Sequence, residues 1–169
     1  MNKWFLLGIL AFTIAVVGGG IALSSGGSPE ETKAVLQQTS GAKISIDHMQ
    51  KTVGNISYGG GILYHSFPIQ NTGTQDLKIA NLATSCHCTK SFLRIGKQDS
   101  PAFGMKGSSA PSNWTGILKP GEKGTIIAAF DPAFHGPQGI GQVDRIISFE
   151  TNDSNHSYVE VSFDGTVIK

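Results

Sequence analysis

The chain has 169 residues, with 13 Lys plus Arg against 12 Asp plus Glu, 22 Gly and 2 Cys, a length that holds about one ordinary domain core. Its net charge of +1, with acids and bases interspersed, offers no basic stripe to neutralise a row of phosphates and argues against a nucleic-acid partner. At 15% charged and 39% apolar residues, the composition is neither that of a disordered chain nor that of a multi-span membrane protein.

The run at 4–23 (WFLLGILAFTIAVVGGGIAL) carries no charge, follows Lys3 and has the length of a bilayer span. Its positive flank favours an inside N-terminus, which puts everything after Ser24 on the far side of a membrane. A cleaved secretory signal competes with a retained anchor, because Ala22-Leu23-Ser24 offers small residues to a signal peptidase. A buried soluble helix is disfavoured by Gly18-Gly19-Gly20 and by the absence of a polar face. Segment 1–24 is therefore read as a membrane anchor or signal segment. Segment 25–41, a Gly/Ser run followed by the polar PEETKAVLQQTS, is read as a linker.

From residue 42 onward the apolar pattern has a period of two. The segments 43–47, 63–70, 77–84, 125–131, 143–151 and 158–164 read as strands. In the last of these Val159, Val161 and Phe163 alternate with polar residues, and the strand is expected to continue past a bulge at Gly165 to Val167. Pro68 demotes its own strand toward a sheet edge. Turn chemistry separates the runs at Asn71-Thr72-Gly73, Pro120-Gly121-Glu122, Asp131-Pro132 and Asn152-Asp153. An exported all-β domain over 42–169 follows, an antiparallel β-sandwich of about seven strands, with a closed barrel as runner-up. Segment 95–118 interrupts the rhythm as a long Gly/Ser/Pro-rich loop, and Phe103, Met105 and Trp114 within it predict that parts fold back on the sandwich.

The elements Asp76-Leu77-Lys78-Ile79, Ser85-Cys86-His87-Cys88-Thr89, Leu118-Lys119-Pro120-Gly121-Glu122 and Phe130-Asp131-Pro132 stand in this order, before the closing Gly165-Thr166-Val167. Together they resemble the bacterial domain-of-unknown-function family 1573 (DUF1573), over roughly residues 45–168. The resemblance implies an immunoglobulin-like exported domain with a Ser-Cys-x-Cys-Thr motif, and it implies no particular activity. His87 stands where the family has a central Gly, and the long loop exceeds the connection expected there.

On a strand, Cys86 and Cys88 point their sulfurs to one face and His87 to the other. Such a pair reads as soft metal ligands or redox thiols, as a disulfide, or as inert packing. An extended strand supplies disulfide geometry poorly. Met105 and His135 lie in Gly-flanked loops that can reach the end of a sandwich, so Cys86, Cys88, Met105 and His135 form the candidate metal site. Two thiolates, a thioether and an imidazole suit copper, above all Cu(I), while zinc gains little from Met. The plainer readings are that Met105 fills a gap and that His135 bonds a turn carbonyl. His87 reads as solvent-facing and His65 as a hydrogen-bonded core or edge residue, while His48 and His156 sit beside turns.

Gly-x-Ser-x-Gly, His-Glu-x-x-His and phosphate-loop patterns are absent from the sequence, and the expectation is a protein that is not an enzyme. The leading function is copper handling by a membrane-tethered domain. A non-catalytic interaction module with a cell-envelope protein partner and a structural Cys pair is the alternative. A thiol-disulfide enzyme is disfavoured by the unusual Cys-x-Cys spacing and the lack of a βαβ pattern.

Overall fold

A computed structural model describes residues 3–4, 8–13, 16, 33–108 and 112–169. The chain divides into two units, Met1–Glu31 and Thr32–Lys169. In the first, the described residues are helical. Most of the apolar run at 4–23, and with it the anchor or signal reading, lies outside the described residues, among which no helix is long and apolar enough to cross a membrane.

The second unit is an immunoglobulin-like β-sandwich. One sheet has the order β1 (Ile44–Ile46), β3 (Leu63–Asn71), β8 (Lys123–Phe130), β5 (Thr89–Ile95), β6 (Gln98–Asp99). The other runs β2 (Gln50–Ser57), β10 (Tyr158–Ile168), β9 (Gly141–Thr151), β4 (Leu77–Thr84), β7 (Thr115–Leu118). Every pairing is antiparallel except β2 with β10, which is parallel. The inner faces meet through Phe67, Leu93, Ile126 and Phe130 of the first sheet and Leu77, Ile147, Phe149, Val161 and Phe163 of the second, all fully buried. The Phe130 and Phe163 rings lie 5.9 Å apart and tie the two layers together. Each strand contributes through its alternate side chains, which is why the period-two pattern locates the core.

Among the described residues ten strands stand where about seven were expected, because short or polar strands carry little periodicity. β2 (QKTVGNIS) buries only Ile56, and β6 has two residues, both exposed. β7 lies inside segment 95–118, whose other parts are also fastened down. Ser91 and Phe103 exchange backbone bonds of 2.8 and 2.7 Å, and the buried Phe103 packs against Trp114 at 5.7 Å. The Gly165 bulge is present as a register shift between Asp164 and Thr166.

Pro68 corrects an expectation: its strand, β3, is interior, between β1 and β8. The Pro68 carbonyl accepts the Asp47 N–H at 3.1 Å, one residue beyond the end of β1. Its missing N–H faces the same side, where the neighbouring strand has ended, so the ladder loses no bond. Residues 33–41, at the end of the linker segment, are tied to the sandwich. Thr39 N–H donates to Asn152 O at 2.9 Å, and Asn81 Nδ2 donates to Ala34 O at 2.9 Å. A polar segment without an apolar stripe can dock through its backbone in this way.

Candidate functional site

The chain leaves β4 in one sheet and enters β5 in the other through the four residues Ser85-Cys86-His87-Cys88. This is a turn, and the expectation that both cysteines lie on an extended strand is corrected accordingly. The reason is the buried Thr84, whose hydroxyl reaches the Cys86 carbonyl at 3.0 Å and the Thr89 carbonyl at 3.1 Å. Thr89 N–H closes the turn on Cys86 O at 3.1 Å. Ser85 N–H donates to Ile146 O, and Ile146 N–H to Ser85 Oγ, both at 3.0 Å, which anchors the turn to β9.

The turn sets the Cys86 and Cys88 Cα atoms 5.3 Å apart, and the two sulfurs form a disulfide. That separation lies well inside the ordinary disulfide range, whereas a flat strand sets residues i and i+2 about 6.4–6.8 Å apart, at its far limit. The two sulfurs have unequal surroundings. Cys88 is 3% exposed and belongs to the core, whereas Cys86 is partly exposed at its edge. Cys86 Sγ accepts the Cys88 N–H at 3.3 Å and lies 3.3 Å from His135 Nε2. Cys88 Sγ accepts the Arg145 Nε–H at 3.2 Å and has Thr89 Oγ1 3.7 Å away.

His135 arrives on the β8–β9 connection. Asp131 N–H donates to Cys88 O at 2.8 Å, which fixes the start of that connection on the Cys turn. The Asp131 carboxylate then accepts Ala133 N–H at 2.9 Å, a local Asx turn. Gly136, at φ +66°, follows His135 and leads into a 3-10 turn, Gly136–Gly139. The imidazole is exposed, and its ligand atom and the two sulfurs all lie within 4.8 Å of one another. Among the described residues no other group of three His, Cys, Asp or Glu side chains comes together in this way.

Met105 is brought toward the same end by its backbone, which pairs in parallel with Thr84, two residues before Cys86. His87 points elsewhere, its Nε2 lying 3.3 Å from Ser108 Oγ. The residue that sequence reasoning missed is Arg145. Its guanidinium lies 5.0 Å over the Phe130 ring, and burial pushes its pKa down against the raising effect of Asp144. Residues 143, 145, 147, 149 and 151 form the inward row of β9, and the other four are buried. A lone Arg in an inward row was the available signal, since such a charge needs a partner.

As bonded sulfurs, Cys86 and Cys88 are weak acceptors. Two electrons and two protons convert them to thiols, and the thiolates beside an imidazole make a soft donor set that a d10 ion such as Cu(I) or Zn(II) accepts. The site is thus a candidate metal-binding group with two chemical states.

Residues 44–95, from β1 through the Cys turn to the end of β5, match the model of the family described as "Protein of unknown function (DUF1573)". No curated protein matches the sequence. Among solved structures, a protein of unknown function from Porphyromonas gingivalis W83 is similar at TM-score 0.56 and 14% identity, over 82% of this chain and 51% of that one. This chain therefore spans about half the length of that protein. The ASH/PapD-like domain of human CEP192 gives TM-score 0.46 and 16% identity, over 85% of this chain and 97% of that domain. At these identities the likeness is one of fold.

Proposed function

We propose that this chain, whose residues 44–95 carry the DUF1573 match, is an exported, membrane-tethered domain that binds Cu(I) through reduced Cys86 and Cys88 together with His135. The observation that carries the reading is the convergence of three ligand atoms within 4.8 Å, contributed by two separate loops. A disulfide spanning one intervening residue restricts the unfolded chain little, so the pair is poorly explained as a staple. His135 adds an imidazole at an exposed position where packing does not require one. Copper is preferred to zinc because thiolates and a thioether are soft donors suited to a soft monovalent ion, whereas zinc gains little from Met. Met105, two positions from Cys86 through its Thr84 pairing, is the candidate fourth ligand. The export and tether rest on the 20-residue apolar run behind Lys3. The site acts as a holder of metal and not as a catalyst.

The test is an anaerobic Cu(I) competition titration on the reduced full chain, beside a Cys86→Ser, Cys88→Ser variant and His135→Ala. One-to-one binding that the double variant abolishes and His135→Ala weakens supports the site. Weak binding shared by all three retires it, leaving an interaction module with a cell-envelope partner as the working function.

A further inference from the structure

The two sulfurs of the Cys86–Cys88 bond are not equivalent, and their difference has a direction. Cys88 is 3% exposed, packed in the core, with a cationic donor on its sulfur: Arg145 Nε–H at 3.2 Å. Cys86 is at the partly exposed edge, and its sulfur lies 3.3 Å from Nε2 of the exposed His135. In thiol-disulfide exchange the attacking thiolate must reach one sulfur, and the other leaves faster the better its negative charge is stabilised. Access selects Cys86 as the sulfur attacked. The Arg145 guanidinium, held over Phe130 at 5.0 Å, selects Cys88 as the sulfur that leaves, because a cation beside a thiolate favours its charged form.

We propose that the pair accepts electrons from an external dithiol that attacks Cys86 Sγ and expels Cys88 as a thiolate held by Arg145. A thiolate of the donor forms a bond to Cys86 Sγ while the Cys86–Cys88 bond breaks, leaving a mixed disulfide and the Cys88 thiolate. The donor's second thiolate then attacks its own sulfur in that mixed disulfide, forms the donor's disulfide and releases the Cys86 thiolate. Two electrons pass from the donor to the Cys pair, and the two protons lost by the donor thiols are balanced through water. The exchange is stoichiometric, and its product is the dithiol form of the site. It rests on the soft-metal reading only for what the freed thiolates then hold. The partner is thus a protein or small molecule carrying two adjacent thiols and able to approach the Cys86 edge.

Arg145 contributes through the leaving group, so its loss has a kinetic signature distinct from a packing defect. Dithiothreitol serves as the dithiol probe on the oxidised full chain, with free thiols captured by alkylation at timed intervals and counted by mass. Arg145→Gln is expected to slow reduction about three- to tenfold, and Arg145→Lys, which keeps the charge, to recover most of that loss. Single variants locate the attack. With glutathione disulfide, Cys88→Ser should form a mixed disulfide at Cys86 about tenfold faster than Cys86→Ser does at the buried Cys88. Equal rates in the two single variants overturn the proposal, as does an Arg145→Gln protein that is reduced as fast as the natural chain. If Arg145→Gln does not fold, the single-Cys comparison decides alone. A Cu(I) titration on the same proteins separates the two readings. Asymmetric exchange without copper binding removes only the metal function, and copper binding with symmetric reactivity removes only the exchange.

Discussion

The Asp153 carboxylate accepts the backbone N–H of Ile44 at 3.0 Å, joining residues 109 apart and fastening β1 to the turn that links β9 and β10. The same side chain accepts Asn155 N–H at 2.9 Å and lies 3.2 Å from His156 Nδ1. At 2% exposure, it has the features of a designed anchor more than of a surface charge.

Its titration has a definite sign. Burial raises the Asp153 pKa, but the N–H donors of Asn155 and Ile44 and the neighbouring His156 outweigh it, and the net value lies below the ordinary 3.8. A depressed folded value contributes stability above the unfolded carboxylate range and loses it as the pH falls through the folded value. Urea unfolding of Asp153→Asn is therefore expected to show a shallower acid limb than the natural chain. At pH 7 the variant should be less stable by about 1–3 kcal/mol, since an amide replaces a charged acceptor of several donors. An unchanged acid limb would show that the anchor titrates alike in both states.

His65 supplies a second acid-sensitive window at higher pH. Its pKa is lowered first by burial and then by His48 and Lys51, with the Phe67 and Phe163 rings packed beside it at 4.7 and 5.8 Å. Among the described residues, the buried Nε2 atoms of His48 and His65 have no hydrogen-bond partner. With the folded value below 6.5, stability is full above pH 6.5 and declines as the pH falls from there through the folded value. His65→Gln should flatten the stability profile between pH 7 and the carboxylate range. NMR titration of the His65 ring at or above 6.5 would contradict this.

The sandwich was legible wherever one face of a strand is apolar. β4 matches its predicted bounds, and Val159, Val161 and Phe163 occupy the inward row of β10 as their alternation indicates. β2 escaped because an edge strand exposed on most positions has no apolar face to betray it, and its parallel pairing with β10 depends on long-range docking. At the site, the cysteines and His135 were legible as chemistry but not as geometry. The strand reading of Cys86 and Cys88 failed because Thr84, a residue with ordinary strand propensity, uses its hydroxyl to hold a turn. Arg145 was passed over because period-two reading looks for apolar matches, and the single charge in the inward row of β9 marked the partner of Cys88.

Gly165 carries the bulge that lets β2 lie against β10. A Cβ there would stand 2.7 Å from Gly54 O and 2.9 Å from Val53 Cγ2, so the strand backbone itself would have to move. Gly165→Ala should destabilise by about 1–3 kcal/mol, the range of overpacking in a fixed environment. Gly59→Ala meets no atom of the described residues within 4 Å and should remain within about 0.5 kcal/mol of the natural chain. Equal thermal midpoints for the two variants would mean that β2 is not held where it is placed.

Reducing the Cys86–Cys88 bond is expected to cost the fold little. Loop-closure entropy for so short a ring gives about 1.5 kcal/mol, and the turn retains the Thr84 hydroxyl, the Ser85–Ile146 pair and the Asp131–Cys88 backbone bond. Cys86→Ser, Cys88→Ser should therefore unfold in urea with a ΔG within about 1–2 kcal/mol of the oxidised chain. A loss several times larger would make the bridge a structural staple and would remove the argument that these cysteines are kept for their chemistry. A small loss combined with abolished Cu(I) binding assigns the pair to the site, because the fold would then have no need of it.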